Sequence, residues 1–114
     1  MFNIENQSLE GSDSIPEQMI DLLDRSDNCI VVLLCTAEWV GGSDMFLNFI
    51  QKEISKKAAF VFDIDTDQHP DLRKFLFVER LPTTIVLYQR QVIDRIEGVI
   101  PRRKIRERIK SWEI

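Results

Sequence analysis

The sequence predicts an α/β sandwich with a mixed central β-sheet, and three observations lead to this prediction. Two apolar segments, residues 29–35 and 58–64, have the pattern of buried strands, and helical segments lie between and beside them. The last third of the chain contains a strand–turn–strand pattern typical of a hairpin. Crossovers through helices predict parallel pairing early in the chain and helices on both faces of the sheet, whereas the hairpin predicts antiparallel pairing late.

The first half of the chain predicts two helices besides its strands. Residues 2–4 have the composition of a short edge strand, and Ser14 and Glu17 have the spacing of a capping box, which predicts a helix over residues 16–25. A second helix is expected over residues 44–57. The apolar face of the first helix carries Ile15, Met19, Leu22 and Leu23, and that of the second carries Met45, Phe46, Phe49, Ile50 and Ile54.

The second half predicts a short helix, the hairpin and a final helix. Pro70 suits the first turn of a helix over residues 70–77. The hairpin strands cover residues 83–88 and 92–97, with a tight turn between them at Gln89 and Arg90. Pro101 opens the last helix, whose apolar stripe consists of Ile105, Ile109 and Trp112.

Length and composition predict a single domain spanning residues 1–114. A chain with 44% hydrophobic and 30% charged residues has ordinary globular composition and enough apolar material for one core. No apolar run approaches the roughly 18–20 residues of a membrane span, and the N-terminus lacks the pattern of a secretory signal. We therefore expect a cytoplasmic protein without a membrane span.

Charge is distributed unevenly along the chain. The net charge of −4 argues against general affinity for nucleic acid. Residues 1–30 contain seven acidic side chains and one arginine, whereas residues 100–114 contain six basic and two acidic side chains. The basic residues of the last helix either form a solvated face or meet an acidic partner or anionic membrane surface. That face consists of Arg102, Arg103, Arg106 and Lys110. A homo-oligomer, formed through an edge strand or through charge pairing, is a further alternative.

The two cysteines, Cys29 and Cys35, lie in one predicted strand. Six residues of extended chain span about 20 Å, and a disulfide needs Cα atoms within about 7 Å, so the two cannot bridge within a monomer. Small buried apolar side chains are the simplest interpretation of both. A reactive or intermolecular thiol is the alternative, and it would require a lowered pKa.

The junction between the first buried strand and the next helix carries the most informative motif, Ala-Glu-Trp-Val-Gly-Gly-Ser at residues 37–43. It resembles the active-site junction of the thioredoxin family, Ala-Glu-Trp-Cys-Gly-Pro-Cys, with Val40 and Ser43 at the cysteine positions and Gly42 at the proline. Four further segments resemble that family in the same order, namely residues 60–65, residues 67–72, the Leu-Pro-Thr-Thr loop at 81–84, and Gly98. The resemblance implies the thioredoxin fold, a three-layer α/β/α sandwich whose mixed sheet is flanked by helices.

The resemblance also implies that the dithiol chemistry of the family is lost. Disulfide exchange needs an attacking thiolate and a resolving thiol, and neither Val40 nor the Ser43 hydroxyl supplies one. Leu34 stands where the family has a buried acid. Ser43 as a nucleophile would need a base, and the single histidine, His69, is expected to be an exposed loop residue. The alternating acids Asp63, Asp65 and Asp67 lack the glycine and distal glutamate of a calcium loop. We predict no catalytic residue, no metal site and no cofactor.

The same resemblance implies a surface for an extended polypeptide, with a cis bond at Leu81-Pro82. The residues that we predict to form it are Trp39, Val40, Gly41, Gly42, Ser43, Leu81 and Pro82. Simpler interpretations are that Trp39 is a packing residue, that the two glycines supply positive φ angles, and that Ser43 caps the helix beginning at Asp44.

We therefore expect a redox-inactive thioredoxin-like protein that binds another polypeptide as an adaptor or chaperone-like module. The alternative is an oxidoreductase-related enzyme with residual thiol chemistry through Cys35. The turn at residues 98–101, Gly-Val-Ile-Pro, also resembles the Gly-Ile-His-Pro-type turn of thioredoxin-like proteins of hydrogenase maturation, which lack the cysteine pair. Assembly or maturation of a partner protein is thus one form of the binding hypothesis.

Overall fold

The computed structural model describes residues 16–54 and 59–112. The predicted strand at residues 2–4, the capping residue Ser14 and the apolar Ile15 lie outside the described residues. Four helices and four strands follow one another along the described chain: α1 (Glu17–Ser26), β1 (Ile30–Thr36), α2 (Ser43–Ile54), β2 (Ala59–Asp65), α3 (Pro70–Phe75), β3 (Thr83–Tyr88), β4 (Gln91–Glu97) and α4 (Arg102–Ser111).

The four described strands form one mixed sheet in the order β2-β1-β3-β4. β1 pairs with β2 in parallel across the α2 crossover, and β1 with β3 and β3 with β4 are antiparallel. The predicted change from early parallel to late antiparallel pairing is therefore confirmed. It follows from the connections, because a crossover helix returns the chain in the same direction and a two-residue turn reverses it.

β1 is the central strand, and all seven of its residues are buried. Because successive side chains point to opposite faces, Val31, Leu33 and Cys35 pack in a cluster with α1 and α3. The alternate residues, Ile30, Val32 and Leu34, pack in a second cluster with α2 and α4. The result is the predicted three-layer sandwich, in which β1 supplies side chains to both cores. Burial of each such side chain contributes about 1.5–3 kcal/mol before the entropic cost of folding.

The prediction that β2 is buried on both faces is wrong. Of its residues only Ile64 is buried, and the Phe60 ring is 47% exposed. β2 has one neighbouring strand within the described sheet, β1, and α2 meets only part of its length. An apolar run does not reveal how many layers cover it, because that depends on which elements pack beside it.

α4 confirms its predicted apolar stripe, since Ile105, Ile109 and Trp112 are all buried. Its basic face is not a free cationic surface, however. Arg102 and Arg106 both pair with Glu53 on α2, with N–O distances of 3.2 and 3.1 Å. The hydrogen bond from Arg106 is the largest cause of the lowered pKa of the Glu53 carboxyl. Two of the four basic residues assigned to that face therefore join α4 to α2.

Several helix ends differ from the predictions by one or two residues. α1 begins at Glu17, with Pro16 at the N-cap and no side-chain capping bond. α3 ends at Phe75 instead of residue 77, because Phe77 adopts a left-handed φ of +55° and the Arg95 guanidinium donates to the carbonyls of Leu76 and Phe77. Among the described residues, no helix has the length and apolar character required to cross a bilayer.

Candidate functional site

Antiparallel pairing of β1 and β3 brings the predicted site residues to one edge of the sheet. Cys35 lies opposite Thr83, so the loop at residues 37–43, which follows β1, and Pro82, which precedes β3, leave the sheet side by side. The Leu81-Pro82 peptide bond is cis. Two segments that are far apart in sequence therefore lie at the same end of the sheet.

The loop at residues 37–43 turns sharply into α2. The Val40 amide donates to the Ala37 carbonyl at 3.0 Å, and the Phe46 amide donates to the Gly42 carbonyl at 3.1 Å, which is the first hydrogen bond of the helix. Gly42 has a φ of +81°, whereas Gly41 is not in the left-handed region. The interpretation that both glycines supply positive φ angles is therefore correct for Gly42 alone.

Ser43 does not cap α2 as predicted. It is buried and forms the first residue of the helix, and its hydroxyl lies 2.7 Å from the Thr36 hydroxyl at the end of β1. A longer bond of 3.4 Å reaches the Val40 carbonyl. His69 is half-buried at the N-cap of α3, not exposed as predicted, and within the described residues it forms no hydrogen bond with Ser43. Ser43 thus ties the helix to the strand, and His69 is not hydrogen-bonded to it as a base would be.

Trp39 is the most exposed large apolar side chain of the described residues, with 70% of its surface accessible. The interpretation of Trp39 as a packing residue is wrong. Its indole N–H donates to Asp67 Oδ2 at 3.0 Å, and the Asp67 amide donates in turn to Asp65 Oδ1 at 2.9 Å. The ring is therefore held in one orientation by the turn after β2 while its faces remain open to solvent.

The cis-proline side of the surface is fixed by backbone contacts. The Gly98 amide donates to the Pro82 carbonyl at 2.8 Å, with Gly98 at a φ of +79°. Thr83 Oγ1 donates to the Arg80 carbonyl at 2.6 Å. Within the described part of the chain, the Leu81 N–H and C=O form no hydrogen bond. Leu81, which precedes the proline and lies two residues before β3, therefore presents an unpaired backbone donor and acceptor.

Sequence analysis missed an acidic cavity next to this surface. It has a volume of about 260 Å³ and is lined by Thr36, Ala37, Glu38, Val40, Ser43, Asp44, Asp63 and Asp65. Burial, followed by the neighbouring charges of Asp44 and Asp65, raises the pKa of the Asp63 carboxyl. The four acids come from one loop, one helix and one strand, so only their shared position at one end of the sheet would have signalled the cavity. In the described residues, no group of three His, Cys, Asp or Glu could hold a metal ion.

Comparison with known proteins identifies the fold. No family model matches the sequence. Thioredoxin Y2, a chloroplastic protein of Arabidopsis thaliana, is 32% identical over 93 residues, which is 80% of this chain and 55% of that protein. A thioredoxin of Schistosoma mansoni superimposes with a TM-score of 0.75 at 20% identity, covering 85% of this chain and 91% of that one. A mutant thioredoxin from Halobacterium salinarum gives 0.72 at 22% identity, covering 85% of each chain.

The chain has the thioredoxin fold. The structural neighbours show this fold, and thioredoxin Y2 is similar to the chain in sequence. The chain spans about half the length of the curated relative that it matches. The fold predicted from the resemblance is therefore confirmed, including the mixed sheet with helices on both faces.

Neither cysteine of this thioredoxin-fold protein lies on the surface formed by the loop and Pro82. Cys35 is fully buried among the apolar residues between β1 and α1, and burial raises the pKa of its thiol to about 12, with a smaller opposing effect from Arg95. Cys29 precedes β1 instead of belonging to it, is half-buried, and donates to the Arg25 carbonyl at 3.2 Å. Both cysteines are free, as the spacing argument predicted.

Leu34 lies on the face of this thioredoxin-fold sheet that packs against α2 and α4. It is fully buried, and its neighbours in register are Asp63 on β2 and Thr84 on β3. The Thr84 hydroxyl is buried and, within the described residues, has no hydrogen-bond partner. The apolar Leu34 side chain thus has the Asp63 carboxyl beside it on β2 and the Thr84 hydroxyl beside it on β3.

Proposed function

We propose that this chain is a thioredoxin-like protein without dithiol-exchange activity, which binds another polypeptide as an adaptor or chaperone-like module. The binding surface consists of Trp39, Val40, Gly41, Gly42, Ser43, Leu81 and Pro82. One observation carries the proposal: a hydrogen bond to Asp67 fixes the orientation of an exposed indole, in a junction whose sequence contains no sulfur. Leu81, with its unpaired backbone donor and acceptor, lies at the same end of the sheet.

The absence of exchange activity is argued from atom types and burial. A dithiol enzyme needs a thiolate at the start of the helix, where free amides and the helix dipole favour negative charge. Val40 and Ser43 occupy the ends of that turn. Cys35 is the nearest thiol along the chain, and with a pKa of about 12 it stays protonated near neutral pH, which disfavours the alternative of residual thiol chemistry.

The binding role is argued from the exposed groups. An extended peptide can pair with the Leu81 N–H and C=O, which resembles the addition of a strand to a sheet edge. Trp39 supplies a large apolar face beside that edge, and its bond to Asp67 removes the entropic cost of fixing the ring on binding. A polar partner for the indole N–H is therefore already present in the unbound protein.

Reduction of insulin by dithiothreitol tests the loss of exchange activity. The wild type is expected to give no rate above the reagent alone, and Val40→Cys/Ser43→Cys is expected to give a measurable rate because it restores both thiols to the helix start. A wild-type rate that disappears in Cys35→Ala would contradict the proposal and establish the enzyme alternative.

Affinity capture with quantified partners tests the binding surface. Trp39→Ala is expected to lose partners that the wild type retains. Ile20→Ala is the matched control, because Ile20 is also an exposed apolar residue but lies on α1, away from this loop. Identical partner sets for the wild type and Trp39→Ala would remove the basis for assigning the surface to Trp39.

A further inference from the structure

The geometry points to a cationic occupant: we propose that the polypeptide docked at Trp39 presents a lysine or arginine side chain to the acidic cavity beside the indole. This inference rests on the proposed function and specifies the chemistry of its partner. The docking surface has an apolar part and an acidic part, and the two adjoin at Glu38 and Trp39.

The apolar part consists of three exposed side chains around the loop and the proline. Trp39 is 70% exposed, Met45 62% and Val99 55%. Met45 lies in the first turn of α2, although helical spacing had predicted it to be buried, and Val99 follows Gly98, whose amide contacts the Pro82 carbonyl. Three separate segments thus expose apolar side chains, which suits a partner peptide with apolar residues.

The acidic part is the 260 Å³ cavity, to which Glu38, Asp44, Asp63 and Asp65 contribute carboxylates. A second depression, lined by Glu38, Trp39, Asp65, Asp67 and Gln68, joins it to the indole. Neither depression has a lysine or arginine among its described lining residues. Burial is the largest cause of the raised pKa of Asp63, and the charges of Asp44 and Asp65 add to it; an incoming cation would offset both effects.

Size and geometry favour one side chain over a metal ion or a small-molecule ligand. No three acidic groups of the described residues converge with the geometry of a metal site. The acidic cavity alone, at about 260 Å³, is smaller than the roughly 300–1,000 Å³ of pockets for drug-sized ligands, and it suits one extended side chain. The adjoining depression beside the indole has a volume of about 470 Å³ and gives the rest of the peptide room. A guanidinium or ammonium group in the adjoining depression can also make a cation–π contact with the exposed Trp39 ring.

Two matched synthetic peptides test the proposal. Both are fluorescein-labelled and extended, with one central arginine between two leucines in the first and glutamine in place of that arginine in the second. Fluorescence anisotropy at low salt is expected to show the arginine peptide binding roughly fivefold to tenfold more tightly to the wild type. Glu38→Gln and Asp63→Asn are each expected to reduce that preference at least twofold. Glu107→Gln on α4 is the control for net charge and is expected to leave it unchanged.

The outcomes separate the cationic preference from the binding function. Equal affinity for both peptides, with both weakened by Trp39→Ala, would overturn the cationic preference and leave polypeptide binding intact. A preference for arginine that Glu38→Gln and Asp63→Asn leave unchanged would assign the cation to a different place and overturn the inference as well. Failure of both peptides to bind at millimolar concentration would contradict the docking surface itself, and with it the proposed function.

Discussion

Cys35 shows how burial decides the chemistry of a single side chain. Its thiol lies in the apolar layer between the sheet and α1, where the thiolate would lose its hydration, so its pKa rises to about 12. Asp63, one strand away, adds a smaller effect in the same direction, and Arg95 opposes it. A cysteine in such surroundings is a packing residue at neutral pH, although it is only two positions from the loop at residues 37–43.

The shifted pKa of Cys35 predicts a loss of stability at high pH. The unfolded thiol ionises near pH 8.5, so above that value the folded state binds more protons than the unfolded state. The free energy of unfolding should then fall by about 1.4 kcal/mol per pH unit between roughly pH 9 and 12. Urea unfolding of Cys29→Ser and Cys29→Ser/Cys35→Ala across this range measures the effect. The difference between the two variants should shrink as the pH rises, and a constant difference would contradict the prediction.

Trp39 and Asp67 show the opposite arrangement, in which a large side chain is fixed without being buried. The indole N–H bond of 3.0 Å reaches the turn between β2 and α3. An exposed bond of this kind contributes only about 0.5–1.5 kcal/mol to stability, because water competes for both groups. Its main effect is therefore on orientation, which matters for a docking surface more than for the fold.

The junction between β1 and α2 depends on backbone conformation at the scale of the element. Gly42 adopts a φ of +81° and accepts the first helical hydrogen bond, while Ser43 bonds to Thr36 and holds the helix start against the strand end. No heavy atom lies within 4 Å of a Cβ added at either glycine of the loop. Gly41 and Gly42 therefore differ in backbone conformation, and not in the space available for a side chain.

Paired glycine substitutions test this account of the junction. Gly42→Ala is expected to lower the free energy of unfolding by about 1–2 kcal/mol, because an L-residue is strained at positive φ. Gly41→Ala has the same change in composition and no such strain, so its effect should stay within about 0.5 kcal/mol. Chemical denaturation of both variants gives the comparison. Equal losses in the two variants would show that φ at Gly42 does not determine the stability of the turn.

α4 is attached through acids that neighbouring elements provide. The Glu53 carboxylate on α2 accepts hydrogen bonds from Arg102 and Arg106. The Asp94 carboxylate on β4 accepts hydrogen bonds from Arg108 and, at 2.8 Å, from the Trp112 indole N–H. Burial alone would raise the pKa of the Asp94 carboxyl, but hydrogen bonds from Arg108 and Trp112 outweigh it, so the net shift is downward. The basic composition of this helix thus serves packing within the domain as well as solvation.

The described residues form two apolar cores, one on each face of the sheet, and β1 contributes to both. Leu33 and Leu34 are adjacent in β1, yet Leu33 packs with α1 and α3 and Leu34 packs with α2 and α4. Either core needs the backbone of β1 in place before its own side chains can pack. The two layers are therefore expected to unfold together, as one domain.

Leu33→Ala in a Trp39→Phe background tests this coupling. The background leaves Trp112, which packs in the other core, as the single tryptophan. Removal of the Leu33 side chain should lower the free energy of unfolding by about 2–5 kcal/mol. Trp112 fluorescence and far-ultraviolet circular dichroism should shift by the same amount in urea. An unshifted Trp112 transition beside a shifted circular dichroism transition would mean that the two layers unfold separately.

Much of the fold could be predicted from the sequence, because its signals are local. An apolar run without alternation identified β1 as central, a two-residue polar turn identified the hairpin, and the spacing of Ile105, Ile109 and Trp112 identified the buried face of α4. The position of the loop at residues 37–43, between a buried strand and a helix, was visible for the same reason. Periodicity and turn chemistry depend on residues that are close together along the chain, so they can be recognised from the sequence alone.

Other features were decided only by tertiary structure, because they depend on which segments meet. Ser43 had the chemistry of a cap, but the proximity of Thr36 made it a link between helix and strand. Met45 had the spacing of a core residue, yet no element covers it within the described structure. The acidic cavity combines carboxylates separated by up to 27 positions. Local pattern thus determined the order and type of the elements, whereas packing determined which side chains remained exposed to meet a partner.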